Sequence, residues 1–292
     1  GGMVKLTKGT LIGIILTVVV VAGSASAFLL VGPKKLYEIP EPSYKKGESY
    51  SYALSINMEV VGQKIEIQGE LKQDYLDVRA NESTTRTTLA MTMPAELEMQ
   101  GEMKMVILSR QTRDGEIIAT KIESVEPPEM EEMLGQMIGQ VQIAQKTQKQ
   151  KSTQEALNPA SEYFKYPEGP VSIGEKWETD IDEEEETPTG TVTTTGKVVN
   201  CLESREKLTT PTGSFDCLKI TTTIDMMITS PLGQNQTMVM HMPIDAVQWI
   251  AEDNGAMVKT EANCEMEMGL GTSMTLKMPF AMGMELTNYT PA

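Results

Sequence analysis

Thioether sulfur is the commonest chemistry-bearing side-chain group of unusual abundance in this chain: 22 methionines stand against 4 phenylalanines. Many come as Met-x-Met: Met91/Met93, Met103/Met105, Met238/Met240/Met242, Met266/Met268 and Met282/Met284. On a β-strand, residues i and i+2 point to the same side, so each pair builds a row of thioethers on one face. Such rows can fill a core, because methionine is flexible and apolar. They can also line an adaptable cavity for a lipid or another hydrophobic ligand. On that reading the candidate ligand-binding residues are Met58, Met103, Met105, Met238, Met240, Met242, Met266 and Met268. A third use is Cu(I), which prefers soft sulfur, and there the candidates are Met238, Met240, His241 and Met242. A regular strand turns His241 away from the three methionines, which argues against a shared copper site.

The other chemical options are few. His241 is the one histidine, which excludes multi-histidine metal sites. Cys201, Cys217 and Cys264 show no CxxC pair and no metal-ligand spacing. Cys201 and Cys217 flank an expected hairpin and are the candidate disulfide; the alternative is that they are small buried residues. Asp180, Asp182 and the run from Glu183 to Glu186 lack the spaced Asp/Asn and Gly of a calcium loop, so they are expected as a solvated loop. The sequence holds no glycine-rich phosphate loop, nucleophile elbow or HExxH motif. The expectation is a protein that is not an enzyme and uses no cofactor. A net charge of −16 leaves little basis for binding nucleic acid, which needs clustered Lys and Arg. Asn81, Asn235 and Asn288 head N-x-Ser/Thr sequons and are candidate glycosylation sites.

The positioning elements begin with an apolar stretch from Leu11 to Val31, with no charge between Lys8 and Lys34. At about 1.5 Å per residue, a helix of this length just covers a hydrocarbon core of about 30 Å. Residues 1–32 are therefore read as a membrane anchor or signal segment. Ala25-Ser26-Ala27 offers a cleavage site, but the apolar run resumes after it, which favours an uncleaved anchor. A leader like that of type IV prepilins is the further alternative. Residues 33–46, with three prolines, form a stalk. Residues 47–147 form a first β unit: Tyr52, Leu54, Ile56, Met58 and Val60 alternate with polar residues in the half-buried strand pattern. That unit ends in an amphipathic helix, since Met130, Met133, Leu134, Met137, Ile138 and Val141 recur at helical spacing. Residues 148–170 form a linker and 171–292 a second β unit. The second unit's expected strands include 190–202, 215–229, 237–242, 246–252, 257–268 and 273–286.

The two units echo one another. Lys46-Gly47-Glu48-Ser49-Tyr50 matches Ile173-Gly174-Glu175-Lys176-Trp177, and residues 114–120 match 254–260. This pattern suggests a duplicated β unit with unequal loops.

The second unit carries three more specific segments: Tyr166-Pro167 to Trp177; Thr210-Pro211-Thr212-Gly213-Ser214-Phe215-Asp216-Cys217-Leu218-Lys219-Ile220; and Trp249-Ile250-Ala251-Glu252-Asp253-Asn254-Gly255. Across 166–286 these resemble exported β proteins of the DUF3108-like type, which are similar in build to lipoprotein carriers of the LolA and LppX kind. The resemblance implies a strongly curved antiparallel sheet, sometimes wrapping a helix, whose concave face can hold an acyl chain. It brings no catalytic residues with it.

The sequence thus predicts a mainly β protein: an N-terminal transmembrane helix, then two curved antiparallel β-sheet units with one amphipathic helix between them. It would be a single-pass membrane protein with its bulk outside the cytoplasm. The expected function is non-catalytic binding of a hydrophobic ligand. The alternative is a structural envelope protein, or a pilin-like filament subunit that self-assembles through the apolar helix.

Overall fold

The computed structural model describes residues 37–40, 43–60, 62–79, 82–94, 101–112, 117–128, 167, 169–187, 190–233, 236–270 and 274–292. The expected N-terminal helix, the amphipathic helix, most of the linker, and the start of the repeated segment 114–120 lie outside these residues. The regular structure among the described residues is all β. The first half supplies β1 (Ser49–Val60), β2 (Gln63–Val78), β3 (Glu82–Met93), β4 (Gly101–Thr112) and β5 (Ile117–Glu126). The second supplies β6 (Lys176–Thr187), β7 (Gly190–Thr210), β8 (Gly213–Gly233), β9 (Gln236–Ala251), β10 (Met257–Leu270) and β11 (Met274–Thr290).

The two sets of strands join into one antiparallel sheet of order β5-β4-β3-β2-β1-β11-β10-β9-β8-β7-β6. Two separate sheets were expected. The difference lies at the seam, where β1 pairs with β11 from Ser49 opposite Thr290 to Met58 opposite Phe280. Local alternation predicts each strand, but not that the first strand of one half adopts the last strand of the other. The sheet is bent. β7 and β11 have three strands between them and would stand about 19 Å apart in a flat sheet at about 4.8 Å per step. Their Cα atoms come within 8 Å.

The repeated turns are alike in atomic detail. Gly47 and Gly174 both take positive φ, +93° and +85°, which suits glycine. The Gly47 N–H donates to Tyr75 O and the Tyr75 N–H to Glu48 O; the Gly174 N–H donates to Leu202 O and the Leu202 N–H to Glu175 O. In each turn a glutamate Oε2 accepts the backbone N–H three residues before it, Lys45 and Ser172 respectively, at 2.8 Å. The duplicated opening read from the sequence is therefore a repeated hydrogen-bonded device that starts β1 and β6.

Two further departures have plain causes. The acidic run expected as a loop is strand β6, paired with the threonine-rich start of β7 from Asp180 opposite Lys197 to Glu186 opposite Thr191. It is an outermost strand of the sheet, and acidic side chains there discourage edge-to-edge pairing with other chains. The expected strands 237–242 and 246–252 are one strand, β9, which runs through Pro243. Proline cannot donate to a ladder. Pairing with β10 accordingly breaks between Ile244 opposite Cys264 and His241 opposite Glu267, while pairing with β8 continues through Pro243 opposite Asp225. Pro279 acts similarly in β11, where the pairing with β1 stops at Phe280.

Candidate functional site

One face of the sheet is largely apolar. In one register row, Met105, Leu89, Leu71, Tyr52 and Leu286 stand side by side on β4, β3, β2, β1 and β11, and all five are buried. A second row runs Ile67, Ile56, Met282, Ala262, Ala246, Thr222, Asn200 and Trp177 from β2 to β6. The alternation that turns these residues to one side turns Ala53, Asn57, Glu66 and Glu70 to the exposed side.

All eight candidate ligand-binding methionines fall on this apolar face and into one cluster. Met58, Met103, Met105, Met266 and Met268 are buried in it, and Met238, Met240 and Met242 pack against it half-buried. Met91 stands opposite Met103, Met266 opposite Met278, Met268 opposite Met240, and Met226 opposite Met242. Residues scattered from position 58 to 268 thus make one thioether-rich surface, with soft, polarizable atoms able to repack around different shapes.

The copper alternative meets an opposing geometry. His241 lies on the other face, where its Nε2 is 2.6 Å from Asp225 Oδ1, with Met227 and Glu267 its register partners on the two neighbouring strands. Glu267 is tied to Lys277, which holds its carboxyl below the usual range through a charge-assisted hydrogen bond. The imidazole is therefore not turned toward Met238, Met240 and Met242. Among the described residues, no three His, Cys, Asp or Glu side chains are grouped to hold a metal ion.

The candidate disulfide is not formed, and Cys201, Cys217 and Cys264 are free thiols. Cys201 stands opposite Thr221 and Cys217 opposite Glu206, so they sit four positions out of register on neighbouring strands. That offset is about 13 Å along the strands, against the Cα separation of about 7 Å that a bridge tolerates. Burial pushes the Cys217 thiol up to about 12 and the Cys264 thiol up to about 11, so both are poor nucleophiles at neutral pH. Of the sequon asparagines, Asn288 is exposed on β11; Asn81 and Asn235 lie outside the described residues.

Other motif residues of the second half, Cys217, Lys219, Trp249 and Ala251, meet on the opposite face. Cys217 stands opposite Ala251, and Lys219 opposite Trp249. Cys217, Trp249, Ala251 and Val258 form a small buried cluster there. Lys219 and Lys259 lie over the Trp249 ring at 5.6 and 5.3 Å from its centroid, and the indole N–H donates to Glu206. These are packing and cation–π contacts that fasten β7 to β10.

Sequence reasoning missed a polar band within the apolar face. Thr179, Asn200, Thr222, Gln248 and Thr260 are all buried, one on each strand from β6 to β10. The signal was present: in Val198-Val199-Asn200-Cys201-Leu202, asparagine occupies the inward phase set by Val198 and Leu202.

A match to one protein family agrees with the resemblance read from the motifs. Residues 140–268 match the DUF3108-like family. No curated protein matches the chain. Among solved structures, the chain is similar to an exported-protein candidate of YmcC-like fold from Bacteroides fragilis, at 9% identity and TM-score 0.30, covering 86% of this chain and 99% of that one. A candidate lipoprotein from Parabacteroides distasonis matches at 11% identity and TM-score 0.30, covering 88% and 100%. The hypothetical lipoprotein YmcC from Escherichia coli matches at 9% identity and TM-score 0.24, covering 82% and 88%.

Proposed function

We propose that this protein is a membrane-anchored, extracytoplasmic, non-catalytic module that holds a lipid or other hydrophobic molecule on the methionine-rich face of its sheet. The observation that carries this reading is the convergence of Met58, Met103, Met105, Met238, Met240, Met242, Met266 and Met268 on one cluster of one face. A core that only had to be filled is served by Leu, Ile and Val, whose rotamers are better defined. The central rows of β1 and β2 use such residues, with Leu54, Ile56, Ile65, Ile67 and Leu71. Methionine is concentrated instead along β3, β4 and the paired ends of β8 to β11, where an adaptable lining suits a flexible acyl chain. The bend of the sheet supports the same reading, since a curved face can surround a chain. The apolar stretch from Leu11 to Val31 would supply the membrane attachment.

A photoactivatable monoacylglycerol carrying a diazirine in its acyl chain tests this on the full chain in detergent. Labelled peptides from β8, β9 and β10, competed by unlabelled monoacylglycerol, are expected. Labels confined to residues 11–31 would contradict the reading.

A further inference from the structure

The geometry points to a specific hydrogen-bonding subsite on the apolar face: Asn200, held by Thr222, receives an uncharged carbonyl oxygen of an amphiphile, an ester or amide whose apolar parts lie to either side. This inference rests on the reading of the apolar face given above and names the class of ligand.

Asn200 is 0% exposed. The Thr222 hydroxyl donates to its Oδ1 at 2.8 Å, which leaves the Nδ2 amide as a donor. That Nδ2 is buried and finds no partner among the described residues. Buried amide donors in native proteins are nearly always paired, because desolvation without a partner is costly. A donor buried without a partner on a sheet face is therefore a place where an acceptor from outside the chain belongs.

The surroundings define that acceptor. Asn200 and Thr222 stand directly opposite each other on β7 and β8. On one side lies an apolar cluster of Ile181, Val198, Ile224 and Met226, against which Met242 and Ile244 pack. On the other lies the cluster of Ile39, Val171, Leu202, Leu218, Ile220 and Ile250. A ligand crossing this point passes from apolar to polar to apolar surface. The rest of the band, Thr179, Gln248 and Thr260, is uncharged, and the Thr260 hydroxyl is already used by Val247 O at 3.2 Å. A charged headgroup here would be buried without a counter-charge, which is strongly unfavourable. A neutral carbonyl fits, because it accepts from the amide and brings no charge.

The test compares 1-monooleoylglycerol with its 1-O-alkyl ether analogue, which keeps the chain and loses the carbonyl. Both are titrated by native mass spectrometry against the full chain released from detergent. The wild-type chain is expected to bind the ester at least tenfold more tightly than the ether. Asn200→Leu, and Asn200→Leu combined with Thr222→Val, are expected to bring the ester down to the affinity of the ether. The double variant removes both partners, so its folded state, checked by circular dichroism, loses no satisfied hydrogen bond on one side only. Equal binding of ester and ether by the wild-type chain overturns this inference while leaving the apolar-face reading intact, as does an ester preference that survives in both variants. Binding of neither compound overturns the apolar-face reading as well.

Discussion

The Tyr289 hydroxyl donates to Glu48 Oε1 at 3.0 Å, tying the last strand of the chain to the residue just before the first. Glu48 is 4% exposed. Its other oxygen accepts the Lys45 N–H at 2.8 Å and the Tyr50 hydroxyl at 3.3 Å. Around it Tyr44 stacks on Tyr75 at 4.0 Å between centroids, and Tyr50 meets Tyr44 edge-on at 5.5 Å. This knot sits at the β1–β11 seam, the one junction that makes two sets of strands a single sheet.

Glu48→Leu is therefore expected to weaken the seam. It leaves the Tyr50 and Tyr289 hydroxyls and the Lys45 N–H without their acceptor, at a cost of about 1–3 kcal/mol for each that stays buried. Tyr289→Phe removes one donor and is expected to cost about 1 kcal/mol. Urea midpoints of the full chain in detergent measure both, and an unchanged midpoint for Glu48→Leu would remove the knot from the account of the fold.

Stability is expected to fall steeply on the alkaline side. Burial pushes the Tyr44 hydroxyl up to about 12 and raises Tyr50, Tyr52 and Tyr75 as well. Burial also raises the thiols of Cys217 and Cys264. The folded protein holds these protons more tightly than the unfolded chain, whose thiols and phenols titrate near 9 and 10. Their contribution is thus whole below about pH 9 and is lost progressively as pH rises through 10 toward 12. Tyrosinate absorbance at 295 nm should appear together with unfolding. Ionisation of these tyrosines near pH 10 in a folded chain would contradict this.

Gly196→Ala is expected to destabilise the β7–β8 pair by about 1–3 kcal/mol through overpacking. A Cβ at Gly196 would lie 2.2 Å from Asp225 O and 2.9 Å from Met226 Cα, and neither backbone atom can move without breaking the ladder. Thermal melting of the variant reads this directly.

Methionines on the two faces should behave differently. Met103 is buried opposite Met91, so Met103→Ala is expected to cost about 2–5 kcal/mol. Met227, on the opposite face, is 46% exposed, so Met227→Ala should change stability by less than about 0.5 kcal/mol. Paired urea titrations check the contrast.

Much of this was legible in the sequence, and the failures have physical causes. The alternation in Tyr52, Leu54, Ile56 and Met58 gave β1 its inward face, and Met-x-Met spacing put the candidate methionines on common faces. Glycine at positions 47 and 174 marked a turn that the two halves share. The β1–β11 seam was not legible, because pairing between residues 49 and 290 leaves no local trace. The acidic run of β6 looked like a loop, because strand formation there depends on its pairing with Thr191 to Thr195 of β7, not on its own propensity. The partition at Pro243 failed because a proline is tolerated where only one of two ladders is broken. Asn200 was passed over because an isolated asparagine in a strand shows its meaning only once its neighbours across the sheet are known.

The most direct measurement of lipid holding on the apolar face is native mass spectrometry of the full chain purified in a mild detergent. A mass excess corresponding to one bound neutral amphiphile is expected, lost when Met240 and Met268 on the apolar face are both changed to lysine. A chain that flies at its bare mass under conditions that keep its sheet intact would contradict it.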